Sequence, residues 1–259
     1  GLVLMLYHLL FPLHTEVGLL NVVQYITFRT AAASLTAFVV SLICGPVVIK
    51  WLRALQIKQV VRDDGPATHS TKAGTPTMGG LLVLGAALIP TLLWADLTNE
   101  YVWLAVLSTL GFGAVGFVDD YLKISRETSQ GLSASLKLCG QGLVALAVGL
   151  ALMQLAENDL YNTDIIFPFF KEFTPDIGWL YVPFAMLVLV MASNAVNLTD
   201  GLDGLAISVF TVAAGAFTAL AYVSGHAVIA EFLLIVRFPP AGELTIFCGS
   251  LVGAGLGFL

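Results

Sequence analysis

Seven stretches of this chain are long, apolar and free of Asp, Glu, Lys and Arg: residues 31–49, 78–94, 101–118, 138–155, 177–195, 205–223 and 244–259. A helix that crosses the roughly 30 Å hydrocarbon core of a bilayer needs about 20 such residues. Charged residues make up 11% of the chain and hydrophobic ones 58%, whereas soluble domains carry about 25% charge. A water-soluble fold of this length could not cover that much apolar surface. The runs therefore predict an all-α, polytopic transmembrane protein with about seven spans, forming a single integral membrane domain over residues 1–259. The last run reaches Leu259 with no flanking charge, so the domain reads as cut off at or inside a span.

Composition excludes several other classes. The net charge of −6 leaves no basic face for nucleic acid. Cys44, Cys139 and Cys248 lie in apolar runs without CxxC spacing, and the four histidines form no HExxH pattern. A disulfide framework and a zinc hydrolase both lack support. Residues 1–15 are apolar but have no basic leader, which suggests an interfacial or shallow membrane-dipping segment. Gly111, Gly113 and Gly116 in the third run would let a neighbouring helix come close.

Basic residues orient the spans. Lys50, Arg53, Lys58, Arg62 and Lys72 fall between runs one and two, and Lys123, Arg126 and Lys137 between runs three and four. With alternating spans all of these share one side, leaving Arg29, Lys171 and Arg237 on the other. The richer side is read as cytoplasmic and the N-terminus as external. Three polar segments far apart in sequence then converge on the cytoplasmic face.

The first is Gly116-Phe-Val-Asp-Asp120. Two carboxylates at the C-terminal end of an apolar helix meet the negative pole of its dipole, at a cost of about 0.3–1 kcal/mol each when exposed. Lys123 offsets this only in part, so a bound cation or a substrate proton would account for Asp119 and Asp120 better than a solvated loop. The second is Asn194-Ala-Val-Asn-Leu-Thr-Asp-Gly-Leu-Asp-Gly204. Here Asp200 or Asp203 could simply cap the next helix, yet one helix does not need so many polar groups. The third is His69-Ser-Thr-Lys-Ala-Gly-Thr-Pro-Thr-Met-Gly-Gly80. Thr75 and Pro76 could begin the second span, but that leaves Lys72 beside a helix N-terminus, an arrangement suited to phosphate. Carboxylates, lysine and amides at a membrane edge fit metal-assisted phosphoryl transfer, with Mg²⁺ as the hard cation that oxygen ligands favour.

These three motifs, in this order, resemble those of the phospho-N-acetylmuramoyl-pentapeptide transferases, within the polyprenyl-phosphate N-acetylhexosamine-1-phosphate transferases. The resemblance covers residues 28–259, including Gly253-Ala-Gly-Leu-Gly-Phe-Leu259. It implies an inner-membrane enzyme of ten spans, often homodimeric, with an external N-terminus and a cytoplasmic active site. It implies Mg²⁺-dependent transfer of phospho-N-acetylmuramoyl-pentapeptide from UDP to undecaprenyl phosphate, giving lipid I and UMP for peptidoglycan synthesis. By motif, Asp119 would be the base or orienter for the lipid phosphate, with Asp120 beside it near metal and diphosphate. Asp203 would join them as a catalytic carboxylate. Lys72 and Asp200 would meet the uridine end, with Asn197, Gly201 and Leu202 lining the same cleft and Thr77 and Lys123 near the nucleotide and phosphates. Asp119 and Asp120 are the candidate metal ligands.

A further metal-binding aspartate and a histidine cluster of the family are absent from these 259 residues, so the stretch taken alone is expected to be inactive. Two alternatives compete with this reading. A sister transferase that moves N-acetylglucosamine-1-phosphate would share the aspartate pair. A transporter or flippase would carry charges at mid-span, where this chain has none.

Overall fold

The computed structural model describes residues 6–55, 78–126, 131–158, 160–167, 170, 173–199 and 204–259. Every apolar run becomes a helix. They are α2 (Ile26–Leu55), α3 (Gly80–Trp94), α4 (Glu100–Ser125), α5 (Ala134–Glu157), α6 (Tyr181–Thr199), α7 (Leu205–Gly225) and α9 (Ala241–Phe258). Short helices α1 (Leu6–Leu10) and α8 (Ala227–Phe232) accompany them. Six of the helices are long and apolar enough to cross a membrane, and α3, at 15 residues, is shorter. The fold is thus all-α and polytopic, as the hydropathy predicts. Residues 6–24 form α1 followed by two 3₁₀ segments, Phe11–Thr15 and Gly18–Gln24, each too short to span.

Where helices meet, small residues let them approach, because lipid removes the hydrophobic drive that joins helices in water. Gly249, Gly253 and Gly257 form one ridge of α9, set against Thr30, Ser34 and Phe38 of α2. Both series ascend in steps of four, so α2 and α9 run parallel. A Cβ on Gly253 would clash with the Ser34 carbonyl oxygen, and one on Gly257 would lie 2.7 Å from the Phe38 carbonyl oxygen. Sequence neighbours pack antiparallel: Gly111 of α4 faces Val144 of α5, and Gly149 of α5 faces Val182 of α6. Gly113 of α4 admits Leu84 of α3, whereas Gly116 has open space around it. Two of the three glycines expected to permit close approach therefore do so.

This alternation gathers the start of α3, the end of α4, the starts of α5 and α7 and the ends of α6 and α9 on one face. One close approach marks it, Gly79 against the Phe258 ring, with Leu259 in looser contact with Gly204. The opposite face is closed by a buried ion pair. Arg29 of α2, 2% exposed, donates to both carboxylate oxygens of Glu243 of α9 at 2.8 and 2.7 Å. Tyr7 lies under its guanidinium, and the Asp96 N–H donates to Glu243 Oε2 at 2.9 Å. On that face an antiparallel bridge joins Asp164 and Asp176 in the α5–α6 connection. The Thr163 hydroxyl and the Gly178 N–H donate to Asp176 and hold its carboxyl below the usual carboxylate range.

Candidate active site

The aspartate pair is reached by following α4 past its apolar part. The sequence reading ends this span at the aspartates, but α4 continues through them to Ser125. The reason lies in spacing. Lys123 stands four residues after Asp119 and three after Asp120, so all three share a helix face. Its Nζ lies 2.8 Å from Asp119 Oδ2 and 2.9 Å from Asp120 Oδ1. The cation relieving two carboxylates at the unfavourable helix pole is supplied within the same helix.

Asp119 is held more completely than its neighbour. It is only 6% exposed. The Leu132 N–H, in the connection to α5, donates to Oδ1 at 2.8 Å. Lys137, in the first turn of α5, places Nζ 3.5 Å from Oδ2. Both oxygens of Asp119 are therefore engaged, whereas Asp120 engages only Lys123 among the described residues, through Oδ1. Ser133 begins α5 by accepting the Leu136 N–H, which sets the angle at which Lys137 enters.

These groups line an open cleft of about 730 Å³ between the end of α4 and the start of α5. Its charged lining is Asp119 with Lys123, Arg126 and Lys137. Three cations facing one already-engaged carboxylate create a positive field suited to a phosphate or diphosphate. In the sequence Arg126 and Lys137 serve only to orient the spans, and nothing there singles out Gly131 or Leu132. The signal available for the two cations was their position on either side of a short connection directly after an Asp-Asp pair.

The remaining expectations divide. Asn197 lies exposed on the last turn of α6. Asn194, counted with the same polar segment, has a packing task instead: its amide donates to Gln141 Oε1 of α5 at 2.8 Å, inside the bundle. Lys72, Thr77, Asp200, Gly201, Leu202 and Asp203 lie outside the described residues, as do Thr75 and Pro76. Helix α3 begins at Gly80, after Gly79 rather than at the threonine–proline pair. Among the described residues no three His, Cys, Asp or Glu side chains gather as a metal site.

A membrane bundle with a cationic cleft at one edge points to a class, and comparison with known proteins supplies it. The model for glycosyl transferase family 4 matches residues 102–259. Within that class, a signature described as phospho-N-acetylmuramoyl-pentapeptide-transferase signature 1 matches residues 72–84. Proteins named phospho-N-acetylmuramoyl-pentapeptide-transferase align over 98% of this chain and 70% of their own length. Identities are 53% over 256 residues in Maridesulfovibrio salexigens, 51% over 255 in Pelobacter propionicus and 54% over 256 in Desulfatibacillum aliphaticivorans. The chain belongs to the phospho-N-acetylmuramoyl-pentapeptide transferases, a family of phosphotransferase enzymes.

Proposed function

We propose that this protein transfers phospho-N-acetylmuramoyl-pentapeptide from its UDP conjugate to undecaprenyl phosphate at the cytoplasmic face of the inner membrane, giving lipid I and UMP. The observation that carries the proposal is the cleft at the α4–α5 edge, where Lys123, Arg126 and Lys137 surround the held carboxylate of Asp119. Its position at the end of a span suits a reaction between a soluble sugar nucleotide and a phosphate tethered to a lipid. The excess of basic residues on the same side of the chain supports the cytoplasmic orientation.

In this reading a phosphate oxygen of the lipid carrier attacks the β-phosphorus of the sugar nucleotide. The new P–O bond replaces the bond to the α-phosphate, and UMP departs with the bridging oxygen. Lys123, Arg126 and Lys137 bind the phosphate oxygens and offset charge as it shifts to the leaving UMP. Asp119 acts as an orienter: with Leu132 on one oxygen and two ammonium groups on the other, it fixes where both lysines point. A carboxylate so engaged is poorly placed as a covalent nucleophile, which favours direct attack by the lipid phosphate.

Mg²⁺ commonly binds one or two carboxylates and completes its shell with substrate phosphates and water. Asp120, half-exposed and with Oδ2 unpartnered among the described residues, fits that requirement better than Asp119. Bound there, the ion would neutralise diphosphate charge. Lys72 and Asp200 complete the reading at the uridine end, with Thr77, Asn197, Gly201 and Leu202 beside the nucleotide and Asp203 at the reacting centre.

The test is UMP release by the purified full-length protein from UDP-N-acetylmuramoyl-pentapeptide and undecaprenyl phosphate, with and without Mg²⁺. Release should require the lipid and the metal, and Asp119→Asn should lower kcat by about 100-fold or more, as expected when a group that orients the reacting centre is lost. A folded parent that releases no UMP from both substrates would sink the proposal.

A further inference from the structure

The closest approach in the cleft involves a residue with no side chain. Gly131, three residues before α5, lies against Asp119 in the last turns of α4. A Cβ added there would stand well inside contact distance of Asp119 Oδ1, 2.7 Å from the Asp119 carbonyl oxygen and 2.9 Å from its Cγ. Real Cβ contacts below 3.0 Å are essentially unknown. One of the obstructing atoms belongs to the backbone, so rotating the carboxylate does not make room; the helix end or the connection has to move. Backbone freedom is not what glycine supplies here. The glycines with positive φ among the described residues are Gly178 and Gly204. Gly131 is required for space.

That space has a chemical consequence one residue further on. The Leu132 N–H reaches Asp119 Oδ1 at 2.8 Å because nothing on Gly131 stands between the connection and the carboxylate. We propose that Gly131 is a positioning residue of the transfer site: its missing Cβ lets the Leu132 N–H grip Oδ1, which fixes the carboxylate plane and turns Oδ2 toward Lys123 and Lys137. The effect on turnover rests on the phosphoryl-transfer reading above; the grip itself can be measured without it.

The experiment compares the full-length parent with Gly131→Ala, Asp119→Ala and Gly116→Ala. The last is a control on α4, where an added Cβ meets nothing within 4 Å. Hydrogen–deuterium exchange is followed at the Leu132 amide, alongside UMP release and thermal midpoint. Exchange should rise about ten-fold in both Gly131→Ala and Asp119→Ala, since each removes the same acceptor geometry. The kcat of Gly131→Ala should fall about 10–100-fold, as a displacement near 1 Å does to reacting groups. KM for the nucleotide sugar and the thermal midpoint should stay near those of the parent and Gly116→Ala. Unchanged Leu132 exchange in Gly131→Ala would overturn the proposal, as would a kcat loss matched by a lower thermal midpoint. Faster exchange in both variants with an inactive parent would overturn the transfer reading and leave the grip supported.

Discussion

Arg29 and Lys123 are both cations near the edge of the bundle, but their surroundings give them different tasks. Arg29 is 3% exposed at its side chain and paired with a carboxylate 14% exposed, closed off by Tyr7. Lys123 is 37% exposed and opens onto a cleft. The first pair joins two helices, and the second group remains available to a ligand. Removing one partner of a buried pair strands the other, at a cost of about 3–5 kcal/mol, whereas replacing both with apolar residues of similar size is often neutral. Glu243→Gln should therefore lower the thermal midpoint in detergent, and the double change Arg29→Met with Glu243→Leu should restore most of it. A single substitution without effect would show that the pair contributes little. At this scale the sequence was legible only in part. Asp119, Asp120 and Lys123 stand out by spacing alone. Arg29, counted as one external charge, gave no sign of a partner 214 residues away, and Gly131 looked like any loop glycine because its neighbour arrives only with the tertiary fold.

At the scale of elements, the spans were readable because hydropathy is a property of a run and needs no knowledge of what the run packs against. The boundaries were not. Helix α4 outlasts its apolar stretch because the Asp–Lys spacing supports continued helix, a local effect that a hydropathy average hides. The role of Gly253-Ala-Gly-Leu-Gly257 was also hidden: Gly253 and Gly257 are part of the surface on which α9 meets α2, while Gly255 between them admits Thr211 of α7. Gly253→Val would force the two backbones apart at the Ser34 carbonyl, and overpacking of a tight contact costs about 1–3 kcal/mol or more. The expected result is a lower yield of folded protein and a depressed thermal midpoint. Gly85→Val, at a position where an added Cβ meets nothing within 4 Å, should be tolerated. Equal stability of the two variants would deny the ridge its structural role.

For the whole molecule, alternation of the spans carries the start of α5 and the ends of α4 and α9 to one face, while Arg29 and Glu243 fasten the other. That convergence was legible from the alternation of the apolar runs, since it needs only the number of crossings. The adjacency of α2 and α9 was not, because counting crossings does not say which helices touch.

This adjacency places a demand on synthesis. At about 5–20 residues per second, the 214 residues from Arg29 to Glu243 take roughly 10–40 s to translate. During that interval α2 lacks the carboxylate that pairs with Arg29 and the ridge that packs on Ser34. Helices α5 and α6 have no such wait, since Gln141 finds Ser193 and Asn194 little more than 50 residues later. In nascent chains arrested before residue 241, Ser34→Cys should stay open to a membrane-soluble thiol reagent and become resistant once α9 emerges. Resistance that preceded α9 would show that α2 settles without it. The early half of this protein must therefore wait for its partner helix, and slower translation lengthens that wait.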